Sequence, residues 1–180
     1  MTQTDKHQTV QRATDRIRLG IDSSDRPIVV TRRMHAAFLA ALVLLDFEPV
    51  IIQGAFMARV GGGAVDSAGT HDRAGCLDTR TEGLTSHQQM KVVRAARSVG
   101  WAVWKRDKRH GNMEQHHHWL LLGEPKATPA ARLQMRAYRA GLDGLDPERP
   151  DYHWRPDPLP VFHYRAAKHG GVTVSAQHGR

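Results

Sequence analysis

Two histidine-bearing stretches carry the chemistry of this chain: Gly69-Thr70-His71-Asp72-Arg73-Ala74-Gly75-Cys76-Leu77-Asp78 and, further on, Glu114-Gln115-His116-His117-His118-Trp119. His71 and Asp78 can supply an imidazole nitrogen and a carboxylate oxygen, and a histidine of the second stretch can supply a third donor. Three protein donors with one position open is the pattern of catalytic zinc, whereas structural zinc is closed by a fourth donor, commonly cysteine. Cys76 is the single cysteine of the chain. A closed thiolate site is therefore not expected, and Cys76 reads as a small buried residue.

The second stretch has the β-branched and aromatic neighbours of a strand, where alternate side chains share a face. Glu114, His116 and His118 then point one way, and Gln115, His117 and Trp119 the other. With His118 on a metal, His116 stands about 7 Å along the strand, close enough to polarise a water or to stabilise an oxyanion. Glu114 is the other candidate for proton transfer, because a zinc hydrolase needs a base for the proton of the attacking water. The bland alternative is an exposed polar strand face that binds nickel or zinc adventitiously.

The elements that must position these groups are legible from pattern. Residues 1–25 read as a polar arm, partly helical through Arg12 to Arg18 and broken by Gly20 and Ser23-Ser24. Pro27 to Val30 is a short strand, and Thr31 caps an Ala/Leu-rich helix over Met34 to Leu45. Val50 to Gln53 is a core strand ending at Gly54. The Gly61-Gly62-Gly63 segment allows close backbone approach just before His71, which is placed with Asp78 on a loop.

A second helix starts at Thr85 or Ser86 and stops at Gly100. Trp101 to Trp104 and Gln115 to Leu122 form an antiparallel pair across a basic Lys105 to Gly111 loop. A third helix opens at Thr128-Pro129 and ends at Gly141. From 146 to 180 the chain is Pro-rich and basic, a tail that wraps the domain or stays mobile. The expected organisation is thus an arm (1–25), one catalytic-size domain (26–145) and a tail (146–180), of α+β class, with a small antiparallel sheet and flanking helices.

The 180 residues and 40% hydrophobic content suffice for one sizeable core. A lone cysteine excludes a disulfide framework and fits synthesis in a reducing compartment. No apolar h-region follows the N-terminus, so no signal peptide is expected, and the longest apolar run, Ala36 to Leu45, is too short to span a bilayer. The net charge of +8 implies attraction to a polyanion: nucleic acid, an anionic membrane surface or an anionic cell wall. Neither paired CxxC and HxxxH nor RNP aromatics occur, so nucleic acid is not an expected partner.

On these motifs the chain resembles the zinc peptidases of the hedgehog/D-Ala-D-Ala-peptidase fold, with their SxHxxGxAxD and later HxH or ExxH, and especially actinobacteriophage endolysin catalytic domains. The likeness runs over roughly residues 27–145. His71 and Asp78 match in identity and spacing, and His116-His117-His118 is followed by an apolar strand and Gly123. Gly69, Ala74 and Cys76 stand where the motif has serine, glycine and alanine, with Gly75 following.

The resemblance implies a hedgehog/DD-peptidase-like fold, Zn2+ as cofactor, and His71, Asp78 and His118 as its ligands. His116 is then the catalytic histidine, with Glu114 the alternative base. An ExxH reading would instead pair Glu114 with His117. Gln53 is a candidate donor to the scissile carbonyl, and Trp104 a candidate wall of the substrate groove. The implied activity is hydrolysis of a stem or cross-bridge peptide bond in bacterial peptidoglycan by a monomer, held in the host cytoplasm until lysis.

One rival is a D-Ala-D-Ala carboxypeptidase, with Arg73 or the Lys105 to Arg109 loop anchoring the free carboxylate. The others are an inactive zinc or basic surface-binding module and a nucleic-acid binder with incidental histidines.

Overall fold

The first paired element is a hairpin of Arg16–Ile21 (β1) and Pro27–Thr31 (β2). Its turn is pinned by the Asp22 carboxylate, which accepts from the Arg26 amide at 3.0 Å and from its Nε at 2.8 Å. A strand here corrects the expected partly helical arm. Ile17, Leu19 and Ile21 alternate with arginine and glycine, a period of two that a polar composition obscured, and β2 supplies the ladder. The computed structural model describes residues 15–22, 25–57, 69–110, 113–157, 159, 161–166 and 172–177. The Gly61-Gly62-Gly63 segment and residues 1–14 lie outside them.

β2 runs directly into helix α1, Arg32–Leu42, where the Thr31 hydroxyl accepts from the Met34 amide at 3.1 Å. Met34, Ala37, Phe38 and Ala41 form its buried stripe at helical spacing. The helix stops short of the expected Leu45, and Leu39, Val43 and Leu44 are exposed.

The centre is a four-stranded antiparallel sheet in the order β3 (Ile51–Gln53), β4 (Cys76–Arg80), β6 (His116–Leu121), β5 (Trp101–Arg106). β4 corrects the loop expected for Asp78. Its residues Cys-Leu-Asp-Thr-Arg have weak strand preference by themselves, and it is paired on both sides, by β3 and β6. The basic run is also corrected: Lys105 and Arg106 belong to β5, and only Lys108–His110 form a 3-10 turn beyond it.

Each sheet face carries its own core, because strand side chains alternate. Leu77, Trp101, Val103, Trp119 and Leu121 pack with α1 and with helix α2, Ser86–Ser98. Trp101 and Trp119 meet edge to face at 5.6 Å. A reciprocal capping box of Thr85 and Gln88 starts α2. On the other face Cys76, Ala102, Trp104 and Leu120 pack against Ala131, Met135 and Tyr138 of helix α3, Pro129–Arg139.

The chain beyond α3 is tied to this body. Arg97, fully buried, pairs with Asp151 at 2.6 Å and donates to the carbonyls of Val103 and Trp154. Residues 151–154 therefore wrap the domain. Val161–Ala166 (β7) and Val172–Gln177 (β8) form a separate antiparallel pair. Among the described residues no helix is long and apolar enough to cross a membrane.

Candidate metal centre

Register alone brings the two histidine stretches together. Asp78 of β4 lies directly opposite His118 of β6, and Arg80 opposite His116, so Cys76, Asp78, His116 and His118 share the face that α3 covers. His117 falls on the other face, where Nε2 donates to the Gln89 carbonyl at 3.1 Å. The histidine register is therefore the HxH alternation.

His71 arrives from the turn before β4. The chain after β3 holds that turn, with Phe56 donating its amide to the Arg73 carbonyl and Met57 to that of His71. Gly54, just before it, lets the end of β3 pass close against β2, since a Cβ there would meet the Val29 backbone at 2.8 Å. Gly75, with φ of +101°, lets the turn enter β4 in a conformation that other residues rarely adopt.

The result is a buried four-group cluster. His71 Nε2 lies 3.2 Å from Asp78 Oδ2, and His118 Nδ1 lies 2.9 Å from Asp78 Oδ1. Cys76 Sγ is 3.0 Å from His71 Nε2 and 3.8 Å from His118 Nδ1. One donor atom from each of His71, Cys76, Asp78 and His118 falls within 4.8 Å of all the others, close enough to hold a metal ion.

The outward nitrogens complete the fit. His71 Nδ1 donates to the Gly54 carbonyl at 2.8 Å and His118 Nε2 to Gln134 Oε1 of α3 at 3.0 Å. In the neutral rings, oxygen acceptors on those nitrogens turn the lone pairs of His71 Nε2 and His118 Nδ1 inward, as metal-ligating histidines are usually held. Trp104 lies beneath His118 with the rings near parallel at 6.4 Å.

Burial opposes charge on all four groups, and their mutual attraction overcomes it. Against desolvation, Asp78 and Cys76 hold the His71 imidazole well above its ordinary value. Cys76 and Asp78 likewise raise His118 to about 9. Against the same penalty, His71 and His118 hold the Asp78 carboxyl well below the carboxylate range and lower the Cys76 thiol. The cluster thus favours positive charge on its imidazoles and negative charge on its carboxyl and thiol, a pairing that a divalent cation bound to neutral imidazoles would also satisfy.

His116 is different. Its Nδ1 donates to the Glu114 backbone carbonyl at 2.7 Å, and its Nε2 lies 3.9 Å from Asp78 Oδ2. Burial lowers its pKa, an effect that Asp78 only partly offsets. A neutral imidazole with Nε2 toward the cluster can accept a proton.

The remaining predicted residues divide. Gln53 ends β3 opposite Asp78, beside the cluster. Glu114 is exposed, and what it gives the site is its carbonyl. Arg73 is exposed on the His71 turn. Trp104, 2% exposed, is a floor under His118 and not an open groove wall. Sequence reasoning set aside Cys76, although its two-residue offset from Asp78 signals a shared strand face. It also missed Gln134, which nothing local marks, and Arg106, buried over the Trp104 ring and donating to the Asp143 carbonyl at 2.8 Å.

Comparison with known proteins adds no relative: no protein-family model, no curated protein and no solved structure matches the chain.

Proposed function

We propose that this protein is a zinc-dependent peptidase of hedgehog/DD-peptidase-like fold that hydrolyses a stem or cross-bridge peptide bond of bacterial peptidoglycan, in the manner of a phage endolysin. The observation that carries the reading is the convergence of His71 Nε2, Asp78 and His118 Nδ1 in one buried cluster, with His116 beside it on the same sheet face. Imidazole and carboxylate donors with tied outer nitrogens suit zinc. The peptidoglycan substrate rests on the motif resemblance and on the positive charge of the chain.

When bound, zinc supplies Lewis acidity, polarising a scissile carbonyl and making water nucleophilic near neutral pH. The protein's own groups do the rest. His71 and His118 are held in one tautomer by Gly54 and Gln134, and Asp78 is fixed between them. His116 Nε2 takes the proton of the attacking water, and as imidazolium it stabilises the developing oxyanion or protonates the leaving amine. The Glu114 carbonyl fixes its ring.

The test joins metal analysis to product analysis. The purified protein should hold about one zinc per chain, and His71→Ala, Asp78→Ala and His118→Ala should each lose tight binding. Mass spectrometry of purified peptidoglycan after incubation should show newly cleaved peptide bonds. Full zinc in all three variants, or intact muropeptides with zinc-loaded protein, would reject the proposal.

A further inference from the structure

We propose that Cys76 is a fourth metal ligand, so that the resting centre is a His71, Cys76, Asp78, His118 donor set, and the water or scissile carbonyl of the proposed reaction enters it as a fifth donor. This rests on the reading that His71, Asp78 and His118 hold a metal.

Three observations carry it. Cys76 is fully buried and lies two residues before Asp78 on β4, so its side chain emerges on the same face. Its sulfur stands 3.0 Å from His71 Nε2 and 3.8 Å from His118 Nδ1. A tetrahedral zinc has ligand-to-ligand edges of roughly 3.3 to 3.6 Å, from its usual Zn–N, Zn–O and Zn–S distances. The observed separations, including 2.9 and 3.2 Å to the Asp78 oxygens, straddle that range. His116 is the competing neighbour, but it is not part of the mutually close group.

Charge points the same way. In a buried site, a divalent ion with one carboxylate, one thiolate and two neutral imidazoles is electrically neutral, whereas the three-donor set leaves a net positive charge in the protein interior. On binding, the S–H bond breaks, the sulfur keeps the electron pair as ligand, and the proton leaves to solvent.

Cobalt(II) substitution of the full-length protein tests this without reference to activity. Thiolate ligation produces an intense near-ultraviolet sulfur-to-cobalt charge-transfer band, and in a chain with one cysteine such a band has a single source. We expect the band in the wild-type protein at about one cobalt per chain, and its absence in Cys76→Ser and Cys76→Ala, both still binding cobalt. Zinc affinity of Cys76→Ala should fall roughly tenfold or more, at least the loss usual for an outer-sphere partner.

Stoichiometric cobalt in the wild type without the band would overturn the role of Cys76 and leave the three-donor centre standing. Failure of the folded wild type to bind either cobalt or zinc would overturn both. Should the variants fold poorly, the wild-type spectrum alone decides.

Discussion

His116, His117 and His118 are consecutive and identical in type, and what separates them is the partner of each ring nitrogen. His118 sits between Asp78 and Gln134, His116 between the Glu114 carbonyl and the cluster, and His117 between Gln89 and Thr79 on the far face. His116→Ala should therefore retain zinc while lowering kcat by roughly 10²-fold or more, the usual effect of removing a general base; loss of metal along with activity would make it a ligand instead. His117 gives a pH prediction. Burial pushes its pKa from the ordinary 6.5 to about 4, so between those values the unfolded chain binds the proton and the folded one does not. Its contribution is intact above about pH 6.5 and is lost as pH falls toward 4, with an upper bound of roughly 3 kcal/mol. Denaturant unfolding across that window should show a steeper loss for wild type than for His117→Gln. Parallel profiles would show that His117 is not the titrating group.

Among the elements, β4 and α3 build the centre. β4 contributes Cys76 and Asp78 and brings them into register with β6. α3 closes that face with Ala131, Met135 and Tyr138 and lowers Gln134 onto His118. Thr128 as N-cap and Pro129 in the first turn fix where this helix begins, and hence which residue stands over the imidazole. Gln134 is a positioning residue. Gln134→Ala should weaken zinc binding by roughly 10- to 100-fold, as loss of an outer-sphere partner does, with helix content and unfolding midpoint little changed. Competitive chelation measures it, and an unchanged affinity would show that Trp104 and the strand backbone suffice to orient His118.

Across the whole molecule, the sheet separates an apolar layer of α1 and α2 from the layer that holds the centre, and the buried Arg97–Asp151 pair ties residues beyond α3 onto the body. Arg132, Arg136 and Arg139 of α3 line an exterior cleft of about 810 Å3 with Leu133 and Pro129. Exposed arginines spaced along one helix are well placed to gather an anionic polymer, and their reach shrinks to about 8 Å at physiological salt. Lysis of purified wall should therefore weaken as salt rises, and more for wild type than for a variant with these three arginines changed to glutamine. Hydrolysis of a small soluble stem peptide should change far less. Equal salt sensitivity on both substrates would place the effect in the fold or the centre and not in capture of the polymer.

Local pattern determined much of this protein. Thr31, Thr85 and Thr128 mark the helix starts, and the alternation through His116 to Leu121 separates His117 from its neighbours, because caps and periodicity act over a few residues. His71 and Asp78 stood out by type and spacing. Tertiary structure decided what depends on pairing between distant segments. β1 and β4 become strands through their partners, against polar composition and weak propensity, and Arg106 leaves the basic run for the interior because β5 extends to meet His116. Cys76 and Gln134 join the centre only when β4, β6 and α3 close on one another, since a metal-binding cluster is a matter of angstroms between side chains whose sequence separation carries no record of that distance.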